Sequence, residues 1–392
     1  MYLDRLFKMM ADRNASDLFI SVGAPINMKV SGVVAPLSDR PMDLDTVRRV
    51  AYELMSDEQA KVFESEHEMN LSHLDPHVGN FRINIFRQRG TISLVIRYVR
   101  SDIPPFEQLR LPKVLLDLVT EKRGLIMIAG ATGSGKSTTL AAMIDYRNTH
   151  RTGHILTVED PIEYLFRHKK SVVNQRELKV DTHDYTRALQ NALREAPDLI
   201  MIGEVRDRET MQSALLHTLT GHLCLTTLHA NNSYHALSRI INMFPYDARS
   251  GLLSDLSIGL RAIVSQRLVR NKDGVLQPAV EILLNTALIA ELVKSGEITQ
   301  IKEAMEKSLY PGSQTFEQAL CRLYVDGAIS YEEAMTASDS STNLAWLINQ
   351  NAPSSRVEGV TTVDPEQEKK PRRTHTDFTA MQIEPDMLDR PH

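Results

Sequence analysis

Gly130-Ala131-Thr132-Gly133-Ser134-Gly135-Lys136-Ser137-Thr138 decides the fold. It follows an apolar run, Gly124-Leu-Ile-Met-Ile-Ala129, and opens a helical pattern, Thr139-Leu-Ala-Ala-Met-Ile144. A buried strand, a glycine-rich turn and a helix in that order, with G-x-x-x-x-G-K-[ST] matched at Gly130, Gly135, Lys136 and Ser137, read as a phosphate-binding loop. Glycines let consecutive N–H groups turn inward around a phosphate, where the helix N-terminus adds positive potential. Lys136 is placed to reach β- and γ-phosphates, and the Ser137 hydroxyl to ligate Mg²⁺. ATP with Mg²⁺ is therefore the expected ligand, cradled by residues 130–138.

Outward from this loop, short apolar runs alternate with helical patterns from Gly124 into the 290s, the pattern of a mainly parallel α/β sheet. Ile155–Val158, Leu199–Ile202 and Leu223–Leu228 are further strands. The clearest helix is Tyr185–Ala196, with apolar positions 185, 188, 189, 192, 193 and 196 on one face and Pro197 ending it. The strand over 199–202 runs into Gly203-Glu204, so that Glu204 stands at a strand's carboxyl end, facing the nucleotide crevice and the attacking water. A single glutamate there can orient water directly or through Mg²⁺ and its hydration shell. The strand over 155–158 empties into Glu159, Asp160 and Glu163, with Pro161 forcing a turn. Three carboxylates so close suit metal or water handling, or else form a solvated acidic loop. His222 and His229 bracket the strand over 223–228, and His229, at its carboxyl end, is positioned to sense a γ-phosphate.

Residues 1–100 differ in pattern: a short amphipathic helix (Leu3, Leu6, Phe7, Met10), then alternating stretches at 17–22, 28–34, 81–87 and 91–99, with helices over 43–55 and 57–66. They read as a small α+β domain. If Arg89-Gly90 is a two-residue turn, position 88 pairs with 91 and Arg82 with Arg97, and both arginines point away from the apolar face. Like charges directly opposite are unfavourable unless an anion lies between them, and a polyphosphate would serve. Residues 101–120, opening on Ser-Asp-Ile-Pro-Pro, read as a linker; 121–348 as the ATPase domain, helical from about 286; and 349–392 as a disordered charged tail. That tail resembles no packed segment: from Asn351 onward it holds five of the seventeen prolines and a single aromatic residue. His73 and His77 are four apart, but Pro76 breaks the helix that would make them a metal pair.

Composition narrows the function classes. A formal charge of −5 over 392 residues, with no interleaved aromatic and basic groove, disfavours a nucleic-acid partner. The two cysteines, Cys224 and Cys321, exclude a disulfide framework and a four-cysteine structural zinc, and suit a reducing cytosol. The start, Met-Tyr-Leu-Asp-Arg-Leu-Phe, is not a signal peptide, and no apolar run approaches the ~18 residues of a membrane span. Any membrane role passes through a partner.

The order GATGSGKST, ILTVEDPIEY, DLIMIGEVRD, TGHLCLTTLHA resembles the secretion and type IV pilus motor ATPases. Their Walker A loop, Asp box, atypical Walker B glutamate and His box come in that sequence. The resemblance runs from residue 1 to about 340, and is strongest to the retraction-type PilT/PilU branch. Assembly-type members carry a four-cysteine zinc site, absent from this sequence. Where PilT-type members carry an arginine-bearing helix, this chain has Ala287-Leu-Ile-Ala-Glu-Leu-Val-Lys294, which with the long tail looks more like the PilU side. The resemblance implies a homo-hexamer of RecA-like P-loop ATPase cores, each preceded by a PAS-like domain docked on its neighbour. Nucleotide would sit at the junction, reached by N-terminal arginines, matched here by Arg82 and Arg97. It implies catalytic roles for Lys136, Glu163, Glu204 and His229. It also implies a PilT-type paralogous partner, an inner-membrane platform protein, and a place in the cytoplasm at the inner membrane face. Three functions compete: a retraction motor, a regulatory ATP-binding subunit with little turnover, and a nucleic-acid translocase, the last opposed by the charge.

Overall fold

The computed structural model describes residues 2–351 apart from 31, 76, 77, 100, 101 and 309, and of Tyr2 the backbone alone. Two sheets organise them. The first holds β1 (Ala15–Ser21), β2 (Asn27–Val30), β3 (Val33–Pro36), β4 (Glu68–Asp75), β5 (Gly79–Gln88) and β6 (Thr91–Val99), in the antiparallel order β3-β2-β1-β6-β5-β4. One face, carrying Leu18, Ile20, Phe81, Ile83, Ile85, Leu94 and Ile96, packs against the helices Tyr2–Asp12, Leu44–Glu53 and Asp57–Glu66; the Phe7 ring stacks 4.2 Å from that of Phe81. The two helices after the third strand are capped by Asp43 and Ser56, the latter in a reciprocal capping box with Gln59. The single stretch expected over 28–34 is instead a hairpin, turned near Gly32 at φ +84°.

The β5–β6 hairpin follows the register read from the sequence. Arg89 and Gly90 both have positive φ, +47° and +76°, as a two-residue turn that matches the strand twist requires. Gln88 pairs with Thr91, and Arg82 faces Arg97.

The second sheet holds β7 (Gly124–Ala129), β8 (Gly153–Glu159), β9 (Ser171–Glu177), β10 (Leu199–Ile202), β11 (Leu223–Leu228), β12 (Leu260–Arg270) and β13 (Leu276–Leu284). Its order is β13-β12-β7-β11-β10-β8-β9, parallel except for the β12–β13 hairpin. Alternation sorts each central strand between two apolar layers. Leu125, Met127, Ile200 and Ile202 face the helices Tyr185–Ala192, Arg208–Leu219 and Ser233–Asn242, while Ile126, Ile128, Leu199 and Met201 face the helix Lys136–His150. The P-loop strand β7 is central, so the carboxyl ends of β7, β10 and β11 open on one side of the sheet.

Three departures have physical reasons. Helix Tyr185–Ala192 stops short of residue 196: Arg194 and Glu195 tighten onto the carbonyls three residues back, and Ala196 turns to φ +48° ahead of Pro197, leaving Leu193 exposed. Strands β9, β12 and β13 were not anticipated; β9 is an edge strand whose alternating polar residues carry no continuous apolar signal. The stretch from residue 102 to 120, read as a linker, is packed rather than extended. A 3₁₀ turn, Phe106–Leu109, and a helix, Val114–Val119, bury Phe106, Leu111, Leu115, Leu118 and Val119 in the layer shared with Ile126 and Met143. Arg147 clamps the end of this stretch, donating to the Val119 and Glu121 carbonyls at 2.8 and 2.9 Å.

Helices Ala287–Ser295, Ile301–Glu306, Phe316–Val325, Tyr331–Ala337 and Ser341–Asn351 complete the chain, with Phe316, Leu320, Leu344 and Ile348 packed on Val269 and Ala279. The tail from 352 and the Pro76–His77 pair lie outside the described residues. Because Leu115 is fully buried, Leu115→Ala should cost about 2–5 kcal/mol in urea unfolding followed by far-ultraviolet circular dichroism. An unchanged midpoint would show that Leu115 contributes nothing to that layer.

Candidate active site

The loop between β7 and the helix Lys136–His150 is held from two directions. Gly133 and Gly135 adopt φ +80° and +88°, the left-handed region that side chains disfavour. A Cβ on Gly130 would lie 2.3 Å from Ser134 Oγ and 2.7 Å from the Gln266 carbonyl oxygen, so the turn closes only around glycine. Gln266, buried on β12, ties loop to sheet: its Nε2 donates to the Ser134 carbonyl at 2.8 Å and its Oε1 accepts from Thr139 Oγ1 at 2.7 Å. Lys136 is folded back, Nζ donating to the Gly130 and Ala131 carbonyls, both at 2.9 Å. Its burial lowers its pKa, opposed by the negative charges of Glu204 and Glu163. Ser134 Oγ is buried with no partner among the described residues. Thr138 Oγ1 shares a 2.8 Å hydrogen bond with Tyr164 Oη.

Glu204 sits just past β10, its carboxylate largely enclosed. Arg206 Nε donates to Oε2 at 2.6 Å and His229 Nε2 lies 3.4 Å from Oε1. Arg206 also reaches Asp160 at 3.3 Å. Burial and the positive charge of Lys136 push His229 below its usual pKa, against the pull of Glu204. Its carbonyl is held by Arg239 at 2.8 Å. The β10 exit is pinned by Gly203, whose N–H donates to the Val158 carbonyl and whose own carbonyl accepts from Thr227 Oγ1 at 2.6 Å. A Cβ at Gly203 would meet Tyr185 Oη at 3.0 Å and Glu159 Cα at 3.3 Å. His222, at the other end of β11, bonds the His217 carbonyl at 3.0 Å and stands away from this group.

The acidic run after β8 is divided. Glu159 is buried, accepting from Thr157 Oγ1 at 2.8 Å and Gln175 Nε2 at 3.2 Å, and burial lifts its pKa to about 7. Asp160, exposed, pairs with Arg206. Glu163, also exposed, borders a cavity shared with Ser137, Tyr164, Gly203 and Thr227. Among the described residues no three acidic, histidine or cysteine side chains are grouped as a metal cage.

The two arginines of the β5–β6 hairpin are compensated by the protein itself. Arg97 Nε donates to Asp17 Oδ1 at 2.9 Å within its own domain. Arg82 reaches across to the core and donates to the Ile162 carbonyl. Burial lowers the Arg82 pKa, while Glu163 and Glu177 support its charge. An anion between the pair is therefore not required, and Arg97 is engaged away from the loop. Both arginines line a cleft of about 920 Å³ together with Asp160 and Glu177. Sequence reading passed over Arg206, Tyr164, Gln175 and Gln266. Arg206 had a local signal, two residues beyond Glu204; Gln266 had none, since only pairing of β12 with β7 brings it to the loop.

The family model for type II/IV secretion system proteins matches residues 1–337. The type IV pilus ATPase PilU of Pseudomonas aeruginosa is 46% identical over 349 residues, 89% of this chain and 91% of the relative. The type IV pilus retraction ATPase PilT of the same organism is 38% identical over 85% of this chain and 97% of its own length. A crystal structure of the pilus retraction motor PilT with bound ADP aligns over 87% of this chain and 98% of that one, with a TM-score of 0.81 at 40% identity. The Legionella pneumophila ATPase DotB aligns over 86% of this chain and 94% of that chain with a TM-score of 0.70 at 26% identity.

Glu159 offers a test of the site's electrostatics. Unfolded, it titrates near 4.5; folded, near 7. Between those values the folded chain holds the extra proton, so Glu159 makes unfolding easier as pH rises through the window. Wild-type stability should fall relative to Glu159→Gln by about 3 kcal/mol from pH 4.5 to 7, read by urea unfolding at each pH. A flat difference would place the carboxyl in water.

Proposed function

We propose that this chain, which belongs to the PilT/PilU branch of the type II/IV secretion system proteins, is an ATP-hydrolysing motor for type IV pilus retraction and twitching motility. It acts as a homo-hexamer together with a PilT-type paralogue, on an inner-membrane platform protein, in the cytoplasm against the membrane's inner face. The observation that carries the reading is the placement of Glu204, at the mouth of β10 beside His229, where its charge bears on the P-loop lysine.

The loop suits a triphosphate. Its glycines place no Cβ at their positions in the cradle, and the buried Ser134 hydroxyl has no partner among the described residues, a place a phosphate oxygen would fill. Mg²⁺ fits without a protein cage: it usually binds through one or two side chains plus substrate phosphates, and Ser137 is the hydroxyl at that place. Bound there, it neutralises charge on the phosphate oxygens. Lys136 exchanges the Gly130 and Ala131 carbonyls for β- and γ-phosphate oxygens. Glu204 accepts a hydrogen bond from the attacking water. A new P–O bond forms as the bond to the ADP oxygen breaks, and the water's proton passes to the carboxylate. His229, beside Glu204, senses whether a γ-phosphate is present. Glu163 supports Arg82, through which the N-terminal domain follows the state of the site. Arg97, paired with Asp17, serves the site only when that pair opens in the ring.

The regulatory reading, a pilus-motor subunit that binds ATP but turns it over slowly, has one observation in favour: helix Ala287–Ser295 carries Lys294 and no arginine. ATP turnover under hexamer-forming conditions separates the two. Glu204→Ala should lower kcat by at least ~100-fold, the scale of losing a catalytic base. Wild-type turnover no higher than the variant's would favour the regulatory subunit. Arg82→Ala should cut turnover roughly tenfold or more with the fold intact, as expected when a residue that positions the site is lost. An unchanged rate would remove Arg82 from the mechanism.

A further inference from the structure

Gln266 braces the phosphate loop from one face of β12, and the next residue, Arg267, leaves the strand on the opposite face. There it meets the segment that follows His229. Arg267 Nη2 donates to the Asn231 carbonyl at 3.1 Å, Nη1 donates to the Ala337 carbonyl at 2.5 Å, and the guanidinium pairs with Asp339. Its central carbon lies 3.9 Å from the centre of the Phe316 ring. Asp339 uses its other oxygen to accept from Asn232 Nδ2 at 2.9 Å. One carboxylate thus holds both an arginine of β12 and an asparagine just past His229. The Arg267 and Asp339 side chains are only 23% and 19% exposed, so the pair is screened less than one on the surface.

The segment is fixed further along as well. Asn232 Oδ1 caps the helix Ser233–Asn242, accepting from the His235 N–H at 3.0 Å. Ser233 gives its N–H and its hydroxyl to buried Glu281, at 2.7 and 2.6 Å. The His229 ring stands 3.4 Å from Glu204, and these contacts on the backbone behind it set that spacing. Ala337 and Asp339 lie where one C-terminal helix ends and the next is about to begin, and the Ser340 N–H ties that link to buried Glu317 at 2.9 Å. The last two helices therefore reach the nucleotide side of the sheet.

We infer that Arg267 and Asp339 are positioning residues for the hydrolytic step: together they clamp residues 231 and 232 so that His229 keeps its place beside Glu204. The inference rests on the ATP-hydrolysing reading above and deepens it by making the last two helices part of the scaffold of the site. A shift on the order of 1 Å in a site can cost about 100-fold in rate. The phosphate loop, braced separately by Gln266, keeps its own geometry when the clamp is removed.

Steady-state ATP turnover by the full chain, with calorimetric titration of ADP, tests it. Asp339→Ala should lower kcat about tenfold or more and kcat/KM equally, with KM and ADP affinity unchanged. Arg267→Lys keeps the charge but cannot fork between the Asn231 carbonyl and Asp339, so it should show the same pattern more weakly. It carries the test if Asp339→Ala does not fold. Because the clamp acts through His229, adding Asp339→Ala to His229→Ala should slow turnover no further. Losses that multiply, or that extend to KM and ADP affinity, overturn the proposal, since they report a general loosening of the core. An unchanged kcat in both clamp variants, or in His229→Ala, overturns it too. Wild-type protein that binds ADP but turns over no ATP would instead remove the hydrolytic reading itself.

Discussion

Everything at the site depends on one steric constraint: the turn out of β7 has no room for a side chain at Gly130. The loop folds back so closely that Ser134 and the Gln266 carbonyl occupy the space a Cβ would need. Gln266 then fixes the loop to the neighbouring strand with both ends of its amide. The loop is thus braced by β12 and by its own helix. Preorganisation of this kind spares the ordering cost at binding, and Lys136 lies folded against the Gly130 and Ala131 carbonyls.

Around that brace, the site is assembled from strand ends. Glu204, Thr227 and His229 come from β10 and β11, adjacent in the sheet though separated by a helix in sequence. Arg206 binds Glu204 to Asp160, and Gln175 binds Glu159 to the Tyr164 carbonyl, so the acidic segment after β8 is laced to both its neighbours. The contrast between Glu159 and Glu163 is instructive. Four residues apart, one is buried with a pKa near 7 while the other stands in water.

Much of this was legible in the residues themselves. Strand–loop–helix around 130–138, the strand ends bearing Glu204 and His229, and the Arg82–Arg97 register all follow from local rules: glycine conformation, period-two alternation and turn geometry. What escaped was non-local. No pattern near Gln266 points to the loop, and no pattern in the acidic run says which carboxylate is buried, because burial is set by β9 and Gln175 packing against it. The pairing of Arg97 with Asp17 was hidden likewise, since β1 and β6 meet only in the folded sheet.

The contact from Arg82 to the Ile162 carbonyl joins two domains through a charged donor on a half-buried guanidinium. The carboxylates that support its charge, Glu163 and Glu177, belong to the core, while the arginine facing it across the hairpin, Arg97, is answered by Asp17 of its own sheet. The electrostatic debt of the N-terminal hairpin is thus settled by the other sheet, which ties the placement of one to the other by charge as well as by the hydrogen bond.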